Sequence, residues 1–238
     1  RKLFMSIPHR ILFNSERAMN EHIKKGYSRS KSSVIYNGFE SLSKIKNPKN
    51  DPKTFEIIYV ARYHKQKNYS LLISSISEFK KIYKGPFNLH LVGKNIDLKN
   101  KDLIQNLVKF NLLENVILHG LISPKEVHDL FSVSDITLLL SSYGEAFPNV
   151  LAEAMLYGTI PIATDVGDAK QIIRNHGKSI NKDSTPKEIA SLIKEYALLK
   201  LNKPIKWKAI TNDCANFSEN RFKIKNTAEK FNKLSKIL

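Results

Sequence analysis

An α/β fold built on a doubly wound parallel sheet is what this 238-residue sequence predicts. Three observations carry the prediction. From residue 54 onward, short apolar runs alternate with stretches of helical period. The runs are strand-sized and continuous rather than alternating, as in strands buried on both faces. Turn signals built on Gly, Pro, Ser and Asn separate the two kinds of segment, and the repeated βαβα order calls for helices on both faces of the sheet.

Taken in order, residues 10–14 (Arg-Ile-Leu-Phe-Asn) read as a strand feeding a helix from Ser15 to Lys25, with Ser33 to Tyr36 as a second short strand. Asn37-Gly38 turns the chain, and the polar, Pro-containing stretch from Lys44 to Lys53 reads as a linker. Ile57 to Val60 is a β-branched strand, followed by Leu71, Leu72, Ile76 and Phe79 at helical spacing. Leu89 to Gly93 is the next strand, then a helix over 102–110 and a strand at Val116 to Leu118. Ser123-Pro124, with Glu126 three residues after the Ser, has the signature of a capped helix start. Ile136 to Leu140 is a strand, Pro148 to Tyr157 a helix stopped by Gly158, and Ile160 to Thr164 a strand again. At the C-terminus, Ile224, Ala228, Phe231, Leu234 and Leu238 form an apolar stripe on a lysine-rich helix, which needs a surface to pack on.

Composition narrows the function classes. Apolar residues make up 42% of the chain, enough for a packed core. No apolar run approaches the ~18–20 residues of a membrane span. The single Cys214 excludes an intrachain disulfide and a cysteine zinc site, and fits a reducing, cytoplasmic setting. The formal charge is +17. Only seven of the cations are Arg, at 1, 10, 17, 29, 62, 174 and 221, and the lysines are scattered. Nucleic-acid readers concentrate Arg with aromatics along one element, so nucleic acid is not the expected partner. Compositional bias and peripheral attraction to an anionic membrane surface remain as readings of the charge. The chain opens at Arg1 with no leader-like segment after it, and is expected to be a piece of a longer protein.

The stretch from Tyr143 to Met155 carries the most chemistry. Glu153 sits among Val150, Leu151, Ala152, Ala154 and Met155, on a helix apolar around most of its circumference. A buried carboxylate there needs donors: a basic side chain, backbone amides or a pair of ligand hydroxyls. Pro148 is expected at the first helical position, so the free amides of Asn149 and Val150 would lie at the C-terminal edge of the sheet. That edge is where doubly wound folds bind ligands and where helix starts attract phosphate. Glu145 faces the same crevice. Two carboxylates beside a phosphate-seeking helix start make sense if they bind neutral hydroxyls. Arg62 directly follows the first long strand and Lys67 precedes the next helix, a fixed fork and a mobile point charge suited to a diphosphate.

The spacing Glu145-x7-Glu153 with Phe147-Pro148, the Arg62…Lys67 pair, Asn37-Gly38 and Thr164-Asp165-Val166-Gly167 resemble retaining glycosyltransferases of family 4, with the GT-B fold. The similarity covers almost the whole chain. It implies two Rossmann-like domains, with the nucleotide-sugar donor held mainly by the C-terminal one. Residues 1–40 would be the remnant of an N-terminal acceptor domain and 41–53 a linker. Residues 54–217 would be the donor-binding domain, and 218–238 a helix packing back toward the N-terminal domain. Arg62 and Lys67 would hold the diphosphate and stabilise the departing nucleotide, Glu145 would bind the donor sugar, and Glu153 would accept from the ribose. Backbone around Ala146, Phe147, Pro148, Asn149 and Val150 would meet sugar and phosphate oxygens, and Gly93, Leu121 and Ile122 would line the base pocket. The family commonly has Gly where this chain has Ala61 and Ala146. Its N-terminal Gly-rich loop and active-site His have no counterpart here: His9, His22 and His64 lie in other contexts, and His119 and His128 read as structural.

The implied reaction moves a sugar from a nucleoside diphosphate sugar, UDP favoured by the Phe147-Pro148-Asn149-Val150 variant, to a polysaccharide or glycolipid acceptor. Retention would follow from the family. No cofactor or metal is expected, since no His-x3-His, His-Glu-x2-His or Asp-x-Asp pattern occurs. The absence of G-x-S-x-G and of GxxxxGK[ST] argues against an α/β-hydrolase and a P-loop nucleotidase. Two alternatives stand beside this reading. One is a nucleotide-sugar-binding subunit inactive alone, the other a GT-B-like sugar-nucleotide epimerase.

Overall fold

Phe55 to Val60 forms the centre of a six-stranded sheet because its residues bury on both faces. The computed structural model describes residues 7–40 and 53–235. Its larger part alternates β3 (Phe55–Val60), α2 (Tyr69–Ile82), β4 (Phe87–Val92), α3 (Lys101–Lys109), β5 (Val116–Gly120), α4 (Pro124–Val133), β6 (Ile136–Leu139), α5 (Asn149–Leu156), β7 (Ile160–Thr164), α6 (Ala169–Ile173) and β8 (Lys178–Ile180). Helices α7 (Pro186–Asn202), α8 (Pro204–Phe222) and α9 (Ile224–Ser235) complete the chain. Before them come β1 (Ile11–Phe13), α1 (Glu16–Lys24) and β2 (Ser32–Val34), with β1 and β2 paired as a separate parallel ribbon.

All pairings in the large sheet are parallel and its order is β5-β4-β3-β6-β7-β8. The expected sheet class is therefore present. The order also locates the crevice: the chain moves outward from β3 to β5, then returns to lay β6 on the other side of β3. Loops leaving the C-terminal ends of β3 and β6 diverge there, which opens the switch point where such sheets bind ligands. Strand alternation divides the core. Ile57 and Tyr59 pack with α2 residues Leu72, Ile76 and Phe79, whereas Ile58 and Val92 pack with Phe131, Ala154 and Leu156 on the other face.

The local stops are chemical. Ser123 and Glu126 form a reciprocal capping box, with Pro124 opening α4. Gly158, at φ 75°, ends α5 by donating to the Met155 carbonyl at 2.9 Å. Pro148 departs from expectation. It is the N-cap of α5, not its first helical residue, and its carbonyl accepts from Leu151 at 3.1 Å.

The N-terminal ribbon is tied to the large sheet at two places. Asp168 is fully buried and accepts from the Ser15 hydroxyl at 2.9 Å and the amides of Glu16 at 2.6 Å and Arg17 at 2.9 Å. Phe147 is 6% exposed, and its ring packs on Tyr36, Phe39 and Phe222. Gly38 lies under the start of α9, where an added Cβ would stand 2.8 Å from the Ile224 Cα. Residue 218, where the C-terminal helix was expected to begin, falls inside α8; the chain breaks at Lys223 instead, whose neighbours Phe222 and Ile224 bond the backbone of Phe39. Ile224, Ala228 and Phe231 of the stripe are exposed and Leu234 half-buried, while Leu238 and linker positions 41–52 lie outside the described residues.

Candidate functional site

Three strand ends meet at the crevice because one residue has no side chain. Gly93 has φ 143°, and a Cβ there would lie 2.3 Å from the Ala61 carbonyl oxygen. Its amide donates to Gly120 at 2.7 Å, so the ends of β3, β4 and β5 stay in step. Arg62 leaves β3 at this level, exposed, with no ion pair among the described residues. Beyond β5, Leu121 is 79% exposed while Ile122 packs against the cluster containing Val92 and Phe131.

The loops after β3 and β6 are stitched together. A short 3₁₀ turn, Lys65–Lys67, follows β3 and is held by the Tyr59 hydroxyl, which donates to the Lys67 carbonyl. Lys67 reaches across the crevice and pairs with Glu145. That carboxylate also accepts from the Ser141 hydroxyl at 2.8 Å and from Gln66 at 3.5 Å. Lys67 and Glu145 were expected to serve diphosphate and sugar separately; the structure brings them onto each other. Gly167, at φ 54°, lets the next turn press on this loop, since a Cβ there would stand 2.4 Å from the Ala146 carbonyl oxygen. The Asp168 amide donates to that same oxygen at 2.8 Å.

Helix α5 starts from this loop. Ala146 and Asn149 are exposed, Phe147 and Pro148 buried, and Val150 half-buried. Phe147 therefore offers only its backbone to the crevice. The first two helical residues, Asn149 and Val150, have amides with no acceptor inside the helix. The Asn149 side chain is already engaged, accepting from Asn37 at 2.7 Å. One turn on, Glu153 is held mostly out of water, and burial raises its pKa above the ordinary carboxylate value. His128 opposes that rise from 3.8 Å away. This histidine, read from sequence as structural, is the basic side chain that stands opposite the Glu153 carboxylate.

Sequence reasoning missed a contribution from the N-terminal ribbon. A cleft of about 290 Å³ opens beside the 142–146 loop, lined by Arg17 and Glu21 of α1 together with Glu145, Asp165 and Lys182. Arg17 stands 3.7 Å from Asp165. Its sequence signal was its place in the first turn of the helix expected from Ser15. Chemically, the loops at the C-terminal ends of β3 and β6 offer a guanidinium with no ion pair among the described residues and a lysine paired with a carboxylate, and α5, which follows, offers its first amides and a second, mostly buried carboxylate.

A family model described as glycosyl transferases group 1 matches residues 41–220. A 41.2 kDa uncharacterised protein in the cps region of Klebsiella pneumoniae is 27% identical over 223 residues, covering 90% of this chain and 57% of that protein. Among solved structures, Anabaena HepE in complex with UDP and glucose superposes with a TM-score of 0.81 at 20% identity, over 99% of this chain and 65% of that one. A glycosyltransferase from Rickettsia africae gives 0.82 at 20% identity, over 98% and 65%. These likenesses establish the GT-B Rossmann-like fold, and the chain spans less than two thirds of each of these proteins. The match to the family model covers most of the sequence, and the chain belongs to the glycosyl transferases group 1.

Proposed function

We propose that this chain forms the donor-binding part of a family 4 transferase that moves a sugar from UDP-sugar to a polysaccharide or glycolipid hydroxyl with retention. The observation that carries the reading is the Lys67–Glu145 pair, which joins the loops after β3 and β6 at the switch point, with Arg62 just past the end of β3 and α5 starting from the second of these loops. Departure of a nucleoside diphosphate leaves negative charge on its terminal phosphate. Arg62, Lys67 and the amides of Asn149 and Val150 form a preorganised positive surface for that charge, so the chain's own groups do the work a metal does elsewhere. Glu145, already anchored by Ser141 and Lys67, is fixed to orient a sugar hydroxyl. Glu153 is suited to the ribose, because a carboxylate kept from water gains most from neutral hydroxyl donors.

The UDP preference draws support from the Phe147-Pro148-Asn149-Val150 stretch and from the UDP held by HepE. Retention rests on the family resemblance. The scattered lysines suit peripheral attachment to an anionic membrane surface; among the described residues no helix is long and apolar enough to cross one. Calorimetric titration of UDP, GDP and ADP, each with and without EDTA, tests the proposal. UDP should bind tightest and should bind equally well in EDTA. Failure of all three nucleotides to bind would remove the donor-site assignment.

A further inference from the structure

Glu153 has a partner that no motif announced. His128, on α4, places Nε2 3.8 Å from Glu153 Oε2, and its ring lies 5.4 Å from that of Tyr157. The two side chains are 17% and 25% exposed. The second ring nitrogen, Nδ1, is buried with no hydrogen-bond partner among the described residues. This asymmetry selects a tautomer. A proton on Nδ1 would bury an orphan donor and turn the Nε2 lone pair toward a carboxylate. A proton on Nε2 leaves Nδ1 an unpaired acceptor instead of an unpaired donor and aims an N–H dipole at Oε2.

At 3.8 Å the contact is longer than a direct hydrogen bond, but a dipole aimed at a charge in a water-poor site still orients it. It restrains a side chain that would otherwise sample several rotamers. We propose that His128 is a positioning residue: as the Nε2–H tautomer it holds Oε2 of Glu153, presents the rest of the carboxylate to the ribose in one orientation, and so sets the preference for ribonucleotide over 2′-deoxyribonucleotide. The inference rests on the assignment of Glu153 to the ribose made above.

The test is the ratio of 2′-deoxy-UDP to UDP dissociation constants in the full chain and in four variants. Glu153→Gln should reduce the ratio toward one. His128→Phe fills the same space without a donor, and His128→Asn ends its amide at the Nδ1 position. Both should lower the ratio about three- to tenfold, the range of one hydrogen bond, with 2′-deoxy-UDP binding nearly unchanged. His128→Gln, whose amide nitrogen reaches the Nε2 position, should restore it. Two outcomes overturn the inference in distinguishable ways. If Glu153→Gln lowers the ratio but both donor-less variants keep it, His128 does not position the carboxylate. If Glu153→Gln also keeps it while UDP still binds, the ribose assignment itself fails.

Discussion

A buried polar chain on β3, β4 and β5 shows how far single residues control this sheet. Glu56 Oε2 accepts from His90 Nε2 at 2.8 Å, which leaves His90 Nδ1 to accept from His119 Nε2 at 2.9 Å. Burial and the neighbouring His90 lower the pKa of His119. The unfolded chain therefore takes up a proton near the ordinary value of about 6.5 that the folded chain resists. The sign follows: stability is complete above that pH and falls as pH drops through it. Replacing His119 with Gln keeps an N–H donor for His90 and removes the titration. The loss of Tm between pH 7 and pH 5 should be smaller in this variant than in the parent, and an unchanged slope would show that His119 does not contribute. Little of this was legible beforehand. His90 and His119 are 29 residues apart, and only the β4–β5 register brings their rings together.

Elements were the easiest scale to read. Continuous apolar runs revealed the strands because a parallel sheet buries both faces of each, and Ser123-Pro124…Glu126 announced α4 through capping chemistry that is local. Pro148 was placed one position too deep, since a proline serves equally well at the boundary as at the first helical residue, and the carbonyl bond to Leu151 decided between them. The Lys67–Glu145 pair could not be foreseen, because its partners are 78 residues apart and meet only through the switch in strand order. The turn between β7 and α6 supports the site loop from behind. Gly167→Ala adds a Cβ in contact with the Glu145 and Ala146 backbone at a positive φ, so it should cost about 1–3 kcal/mol. Thermal denaturation should show a lower Tm with weaker UDP-sugar binding; an unaltered Tm would mean that the 142–146 loop yields freely.

For the whole molecule, the joint between the N-terminal ribbon and the large sheet matters most. Asp168 accepts from Ser15 and from two amides at the start of α1, a capping role supplied from 153 residues away in sequence. Asp168 follows the Thr164-Asp165-Val166-Gly167 stretch without being marked by it, and no local pattern could assign it to a distant helix. Asp168→Ala should cost about 2–4 kcal/mol, since it leaves buried donors unpaired. It should also speed proteolysis within residues 7–40 while the large sheet stays folded. Equal resistance in parent and variant would show that the aromatic contacts of Tyr36, Phe39 and Phe147 hold the ribbon alone.

The central claim is that the crevice between β3 and β6 binds a nucleoside diphosphate through its phosphates, with Arg62 as the principal free cation. The most direct measurement compares UDP and uridine binding in the parent and in Arg62→Ala. Arg62 is exposed and carries no ion pair among the described residues, so its loss should leave the fold intact. UDP affinity should fall by about 1.5–3 kcal/mol, the worth of a charge-assisted hydrogen bond, and uridine affinity should not move. Equal losses for both ligands, or no loss for UDP, would contradict the account.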